Sequence, residues 1–181
     1  EMCIRDRTYI VSEIGSNWEG NLSKGKKIIK ECKKAGADAV KFQKRTLPEI
    51  YVGSAVDDPN SFEEGIRYLL PILKESEFSR REYDKLYEYA AHKKIDFLCT
   101  PFDKSAVDFL RGYNPVAYKV ASGDLNNIPL LDYLAKENRP LILSTGMATI
   151  KTIDQVAIYL RIWGVDCVLL HSVSAYPTPD K

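Results

Sequence analysis

Short apolar runs alternate along the chain with longer segments in which apolar residues recur every three or four positions. The short runs predict β-strands, and the longer segments predict helices that bury one face. The predicted strands cover residues 8–13, 39–43, 96–100, 117–120, 141–144 and 167–171. The predicted helices cover residues 23–35, 79–93, 104–110, 128–137 and 150–163. Strands and helices that alternate in this order indicate βαβ units and a parallel sheet.

Residues at the predicted helix ends agree with this pattern. Ser23 and Ser79 are suitable N-caps, and Glu82 follows Ser79 at the spacing of a capping box. Gly36 and Gly164 each follow a predicted helix directly, where a left-handed residue often ends the last turn.

Residues 46–78 interrupt the alternation. This stretch contains Pro48, Gly53, Pro59, Gly65 and Pro71. A connection of this length in a compact domain is usually functional, for example as an active-site lid. The other interpretation is an insertion with a short helix around residues 62–70, and the sequence leaves both open.

Polar residues at the strand ends distinguish a closed barrel from an open doubly wound sheet. The residues in question are Glu13, Lys41, Gln43, Thr100, Lys119, Ser122, Ser144 and His171. Functional side chains at the ends of many strands are typical of the (β/α)₈ barrel, whose active site lies at the carboxyl ends of its strands. A dinucleotide-binding sheet would instead place GxGxxG after the first strand, and GSNWEG at 15–20 does not match. The pattern therefore predicts an α/β fold of the TIM-barrel type. Since only six strands are found, the barrel is incomplete, with about six of eight βα units.

Composition narrows the class of partner. The 181 residues carry 26 basic and 25 acidic side chains, for a net charge of +1, which favours neither nucleic acid nor an anionic membrane. No apolar run reaches the ~20 residues of a transmembrane helix, and no signal peptide is recognised. Four scattered cysteines indicate a cytoplasmic protein with reduced thiols. Residues 1–7 fit no element, so we expect a non-native or disordered leader before a partial-barrel domain at 8–181.

Lysines and hydroxyls at the strand ends are suited to binding an anion. Ammonium groups supply charge and hydroxyls supply directed hydrogen bonds, which suits a phosphate or carboxylate. Lys41 and Lys119 lie within apolar strands and are expected to point into the active site rather than to solvent. Glu13 is a candidate general base, and it could also form a salt bridge with either lysine.

The histidines do not make a metal site. His171 could act as an acid–base group or a metal ligand, whereas His92 lies near Lys93 and Lys94 and is expected at the surface. A single histidine falls short of the several ligands that Zn²⁺ or Mn²⁺ requires.

Six motifs at the strand ends resemble those of the sialic acid synthases, the phosphoenolpyruvate-dependent nonulosonic acid synthases. The motifs are SEIGSNWEG at 12–20, AGADAVKFQ at 35–43, TPFD at 100–103, YKVASGD at 118–124, LSTGMA at 143–148 and HSVSAYPTP at 171–179. Each motif alone is moderately specific. Their occurrence in this order, each at a strand end, makes the resemblance strong.

The resemblance implies a condensation of phosphoenolpyruvate with an open-chain N-acetylmannosamine-like sugar, for surface carbohydrate biosynthesis. It implies that phosphoenolpyruvate is bound by Lys41, Gln43, Thr100, Lys119, Ser122 and Ser144. It further implies that Glu13 is catalytic and positions water or sugar, and that Asp124, Ser174 and Tyr176 contact the sugar. Mn²⁺ or Mg²⁺ is implied as the cofactor, with ligands expected beyond Lys181, and a homodimer is expected at full length.

Three departures from the family pattern concern the sugar. Trp18 stands where many members have His, Asp124 where Glu is usual, and Ser174 where Asn is frequent. The implied sugar is therefore less well defined than the implied phosphoenolpyruvate site.

Two other functions remain open on the sequence. One is a barrel aldolase that forms a Schiff base through Lys41 or Lys119. The other is an inactive sugar-phosphate-binding barrel fragment. Because a partial barrel exposes sheet edges, we expect the 181 residues alone to be inactive or poorly folded.

Overall fold

The computed structural model describes residues 7–51, 64–175 and 178–179, without the side chains of 64–67. The strands are β1 (Val11–Glu13), β2 (Ala39–Lys44), β3 (Asp96–Pro101), β4 (Tyr118–Val120), β5 (Leu141–Ser144) and β6 (Cys167–Leu170). The α-helices are α1 (Leu22–Lys34), α2 (Leu47–Ile50), α3 (Glu64–Glu75), α4 (Arg80–His92), α5 (Lys104–Arg111), α6 (Ile128–Ala135) and α7 (Ile150–Ile162). A short 3₁₀ turn covers Ser122–Asp124. The chain divides into two compact units, Glu1–Leu98 and Cys99–Lys181.

The strands form two three-stranded sheets, ordered β1-β2-β3 and β4-β5-β6. Pairing is parallel between β1 and β2, between β4 and β5, and between β5 and β6. Within each sheet the spatial order equals the chain order. The alternating α/β pattern predicted from sequence is confirmed.

Helix ends follow the predicted chemistry with one exception. Glu82 accepts hydrogen bonds from the backbone N–H and the hydroxyl of Ser79 at 3.0 and 2.7 Å, completing the predicted capping box. These bonds hold the pKa of Glu82 below its ordinary value. Gly36 and Gly164 have the predicted positive φ angles of 88° and 69°. The prediction of Ser23 as an N-cap is wrong, because the side chain of Asn21 accepts from the N–H of Lys24 and starts α1 earlier.

The long segment at 46–78 contains regular structure where the structure describes it. Helix α2 lies at its start, and α3 covers Glu64–Glu75 with Pro71 inside it, so the helix predicted at 62–70 is longer than expected. Residues 52–63, where an active-site lid could be sought, lie outside the described part of the chain.

Aromatic side chains form a continuous core in the first unit. Trp18 stacks on Phe78 with ring centroids 3.5 Å apart. Tyr83 contacts both Phe78 and Phe97 edge-on, and Phe97 stacks on Phe42 at 5.1 Å. Each such aromatic pair adds about 0.5–1.5 kcal/mol beyond its buried area. Through this cluster, β2 and the turn after β1 are packed on the side of the unit where α4 lies.

Aliphatic residues dominate the core of the second unit. Leu131, Leu134, Leu141, Leu143 and Leu160 are at most 1% exposed. Tyr118 is equally buried, and burial together with the nearby charge of Glu137 raises the pKa of its hydroxyl. By contrast, β6 is poorly covered: Val168, Leu169 and Leu170 are 37–44% exposed.

Charged residues tie the start of the first unit to its sheet. Arg7 donates to the carboxylate of Asp38, which also accepts from the backbone N–H of Ile10 at 2.8 Å. These two interactions lower the pKa of Asp38 to about 2. Tyr9 donates to Asp96 in the same region, at 2.5 Å.

Among the described residues, none of the helices has both the length and the apolar character that crossing a bilayer requires.

Candidate active site

Glu13 and Lys41 form the polar centre of the first unit. Glu13 ends β1 and lies opposite Lys41 of β2 in the parallel register. The ammonium group of Lys41 forms an ion pair with Oε2 of Glu13. The lysine side chain is 8% exposed, whereas the glutamate is 50% exposed. The strand therefore holds a buried cation against an accessible carboxylate, one of the two salt bridges that the sequence allowed.

Gln43 faces the same carboxylate across Gly15. A methyl group added to Gly15 would lie 3.3 Å from Oε1 of Glu13 and 3.6 Å from Nε2 of Gln43. Gly15 also has a φ of 53°, which favours glycine. Oε1 of Gln43 accepts a hydrogen bond from Nη1 of Arg45 at 2.7 Å. The amide oxygen is thus turned to Arg45, and the amide nitrogen lies beside Gly15, as Oε1 of Glu13 does.

Trp18 does not fit the expectation that it lies on the sugar side. Its indole is 3% exposed and stacks on Phe78. Its ring N–H donates to the carbonyl of Gly15 at 3.0 Å. In this structure Trp18 is a packing residue that also fixes the turn carrying Gly15. The sequence did not reveal this because Phe78 is distant along the chain.

Lys119 and Ser144 form the polar centre of the second unit. Nζ of Lys119 donates to the hydroxyl of Ser144 at 2.5 Å and to the carbonyl of Val120 at 2.6 Å. Lys119 is 7% exposed although it carries a charge. Both lysines are thus shielded from solvent, as expected, and their pointing into an active site stays a prediction.

Ser122 and Ser174 converge on Gly146. A methyl group added to Gly146 would lie 3.0 Å from Oγ of Ser122, 2.8 Å from Oγ of Ser174 and 3.4 Å from the carbonyl of Ser172. Ser122, which is expected to bind phosphoenolpyruvate, and Ser174, which is expected to contact the sugar, therefore both lie close to the backbone of Gly146. Because Gly146 has no side chain, both hydroxyl groups have room beside it.

The other predicted site residues are Thr100, Asp124 and Tyr176. Thr100 lies on β3 and is 2% exposed. Asp124 accepts from Nδ2 of Asn127 at 3.1 Å, and Asn127 caps α6, so Asp124 also has a structural contact. Tyr176 lies outside the described residues.

Of the two histidines, His92 was expected at the surface. His92 is exposed at the end of α4, and His171 is exposed just beyond β6. Within the described residues no group of three or more His, Cys, Asp or Glu side chains is placed to hold a metal ion.

For two residues of these clusters, the sequence predicted no role. They are Gly15, whose missing side chain leaves room beside Glu13, and Arg45, which binds Gln43. The pattern Glu-x-Gly at the end of a strand was the available signal for Gly15. Nothing in the sequence pattern distinguishes Arg45 from a surface arginine.

Comparison with known proteins agrees with the resemblance in the motifs. A sequence model described as the NeuB family matches residues 28–181. The chain belongs to the NeuB family. It is 38% identical to an N-acetylneuraminate-9-phosphate synthase of Drosophila melanogaster, over 97% of the chain and 48% of that protein. It is 32% identical to a pseudaminic acid synthase of Campylobacter jejuni, over 95% of the chain and 51% of that protein.

A solved structure of a relative has the same fold. The N-acetylneuraminic acid synthetase of Leptospira borgpetersenii, in complex with citrate, superposes with a TM-score of 0.83 at 30% identity. The match covers 97% of this chain and 57% of that one. This NeuB-family chain thus spans about half the length of the curated relatives it matches.

Proposed function

We propose that the protein condenses phosphoenolpyruvate with an N-acetylmannosamine-like amino sugar to give a sialic-acid-type nonulosonic acid and phosphate. In this reaction C3 of phosphoenolpyruvate attacks the aldehyde carbon of the open-chain sugar. Water adds at C2, and phosphate leaves with cleavage of the C2–O bond. The observation that carries the proposal is a buried lysine in each unit at positions that match the motifs of a family of such synthases.

Lys119, Ser144 and Ser122 are proposed to bind the phosphate or carboxylate of phosphoenolpyruvate, with Thr100 on β3. An ammonium group at 7% exposure lies where electrostatic attraction to an anion is weakly screened. The hydroxyl of Ser144, already 2.5 Å from Nζ of Lys119, is held close to the charge. A hydroxyl beside a fixed cation adds a directed donor or acceptor to the same ligand oxygen.

Lys41, Gln43 and Glu13 are proposed to act on the same substrate and on water. Lys41 supplies charge and keeps the carboxylate of Glu13 in one orientation. Since the side chain of Glu13 remains 50% exposed, water or a sugar hydroxyl can reach it. Positioning and deprotonating water is the task of a general base, which fits a carboxylate in this place.

The Schiff-base aldolase is less well supported by the same contacts. A nucleophilic lysine must lose its proton, and the environment has to favour the neutral amine. Lys41 is paired with a carboxylate, and Lys119 donates to two oxygen acceptors, so the amine of each lysine is already engaged by oxygen atoms rather than placed to attack a carbonyl carbon.

The two sheets are proposed to be six of the eight βα units of a TIM barrel. Sequential strand order within each sheet and the exposed apolar side chains of β6 support this interpretation. Val168 and its neighbours would be covered by further barrel units. The 181 residues alone are accordingly expected to be inactive or poorly folded.

Mn²⁺ or Mg²⁺ remains part of the proposal through the family resemblance alone. The described residues do not supply a ligand cluster for it, so we derive no step through a metal. When bound, such an ion would polarise the aldehyde as a Lewis acid.

The amino sugar is proposed only as a class. The two relatives are named for N-acetylneuraminate-9-phosphate and pseudaminic acid, whose sugars differ. Asp124 and Ser174, together with Tyr176, are the residues proposed to select among such sugars.

The experiment measures phosphate release by the protein at its natural length, with phosphoenolpyruvate, Mn²⁺ and a panel of 2-acetamido sugars. We expect release that requires both phosphoenolpyruvate and one sugar class. Borohydride treatment with the sugar should leave Lys41 and Lys119 unmodified. A covalent adduct on either lysine, or turnover without phosphoenolpyruvate, would favour the aldolase instead.

A further inference from the structure

We infer that Arg45 is a positioning residue that fixes the side-chain amide of Gln43 with its N–H groups facing Glu13. This inference rests on the proposed function, because Gln43 is proposed to bind phosphoenolpyruvate. It extends that function by a residue outside the motifs that the chain shares with the synthases.

The chemistry of the two side chains permits one orientation of the amide. An arginine guanidinium has donors and no acceptor, whereas a glutamine amide has one acceptor oxygen and two donor hydrogens on nitrogen. The 2.7 Å bond from Nη1 of Arg45 can therefore be made only by Oε1 of Gln43. Turning the amide over would bring its NH₂ group against the guanidinium, donor against donor.

That orientation sets which group faces the reaction centre. Nε2 of Gln43 lies 3.6 Å, and Oε1 of Glu13 3.3 Å, from the same point above Gly15. A turned amide would present its oxygen beside the Glu13 carboxylate, acceptor against acceptor, and would repel an anionic substrate as well. With Arg45 in place, two N–H donors face the space in which a phosphate or carboxylate is proposed to bind.

The backbone beneath the amide is held independently. The hydroxyl of Tyr83 donates to the carbonyl of Gln43 at 2.8 Å, and Trp18 donates to the carbonyl of Gly15. Loss of Arg45 should therefore free the amide without moving the strand. We therefore expect Arg45 to act on this site through the orientation of that side chain.

A double-mutant cycle tests the inference in the protein at its natural length. Arg45→Met removes the donors and keeps a long side chain, and Arg45→Lys keeps a donor-only cation. Gln43→Ala removes the amide altogether. We expect R45M to raise the KM for phosphoenolpyruvate about tenfold, as for loss of a hydrogen bond to a charged group, and R45K to restore most of the affinity. In the Q43A background, R45M should change the KM by less than about twofold, because no amide remains to be oriented.

Gln43→Glu provides a second measurement. The carboxylate still accepts from Arg45 but presents oxygen, not N–H, toward Glu13, so we expect it to impair phosphoenolpyruvate binding at least as much as R45M. Circular dichroism and the thermal midpoint of each variant show whether the fold is retained.

The outcomes separate this inference from the proposed function. If Q43A lowers phosphoenolpyruvate affinity and R45M alone does not, the positioning role of Arg45 is refuted and the proposed function stands. If R45M costs as much in the Q43A background as in the wild type, Arg45 acts as a direct charge and the inference is again wrong. If neither Q43A nor the lysine variants affect phosphoenolpyruvate, the proposed function itself fails.

Discussion

Among the described residues, each unit contains one buried lysine within a strand, but different acceptors hold the two ammonium groups. Lys41 is paired with the carboxylate of Glu13, which is half exposed. Lys119 donates to a hydroxyl and a carbonyl, both neutral. A lysine paired with a carboxylate holds that carboxylate in position and also attracts any bound anion. A lysine whose hydrogen-bond acceptors are neutral attracts a bound anion directly with its charge. Under the proposed function, we therefore expect the first unit to control the general base and to share binding of the anion with Lys119 of the second unit.

The largest effect is expected from removing the second lysine. Lys119→Met should lower kcat/KM for phosphoenolpyruvate by about 10²–10³, the usual cost of losing a fixed electrostatic stabiliser. The measurement is phosphate release at varied phosphoenolpyruvate. Lys136→Met, an exposed lysine after α6 in the same unit, is the matched control and should retain activity. Near-normal affinity in K119M would show that the second unit does not bind the anion.

Removal of Glu13 from the first unit should act differently, on kcat more than on binding. Glu13→Gln keeps the size of the side chain but abolishes the ion pair and the base, so we expect kcat to fall about 10²-fold or more. The KM for phosphoenolpyruvate should stay within a small factor of the wild-type value. Glu19→Gln, whose carboxylate pairs with Lys24 and is 73% exposed, is the control. A large rise in KM with kcat unchanged would reverse the roles of the two units.

The sequence was most informative where the deciding interactions are local. Strand β5 and helix α4 follow from apolar spacing and a capping box four residues long, and both agree closely with prediction. The prediction of Ser23 as an N-cap was wrong because Asn21, two residues earlier, is an equally good cap and is the residue that caps α1 in the folded chain. The strand-end pattern also identified both buried lysines, since a charged residue in an apolar strand is a strong signal.

Interactions between distant residues could not be read in the same way. The stacking of Trp18 on Phe78 joins two loop residues sixty positions apart, and no local pattern indicates it. Gln43 and Arg45 are close in sequence, but which end of the amide faces Glu13 depends on the register of β1 with β2. The position of Ser174 against Gly146 likewise depends on pairing between β5 and β6.

A smaller effect is expected at the point where Ser122 and Ser174 meet. Gly146→Ala would place a methyl group 2.8 Å from one hydroxyl and 3.0 Å from the other, so at least one must turn away. We expect the KM values for phosphoenolpyruvate and sugar to rise together, each by about tenfold if one good hydrogen bond is lost. Gly123→Ala is the matched control, because a methyl group there meets no atom within 4 Å. Equal effects of the two variants would indicate general strain rather than a shared contact point.

The smallest effect concerns the stability of the first unit in acid. The pKa of Asp38 is lowered to about 2 from an ordinary value of 3.8, so the carboxylate stabilises the fold whenever it is ionised in both states. As the pH falls below 3.8 the unfolded chain binds the proton first, and the contribution is lost as the pH passes through about 2. Urea unfolding of the wild type and Asp38→Asn should therefore differ by a constant amount above roughly pH 5 and converge toward pH 2. Hydrogen exchange should show β1 and β2 losing protection over this range before β4 and β5, with Asp154→Asn on α7 as the control. If β4 and β5 lose protection first, Arg7 and Asp38 do not stabilise the first unit in the way proposed.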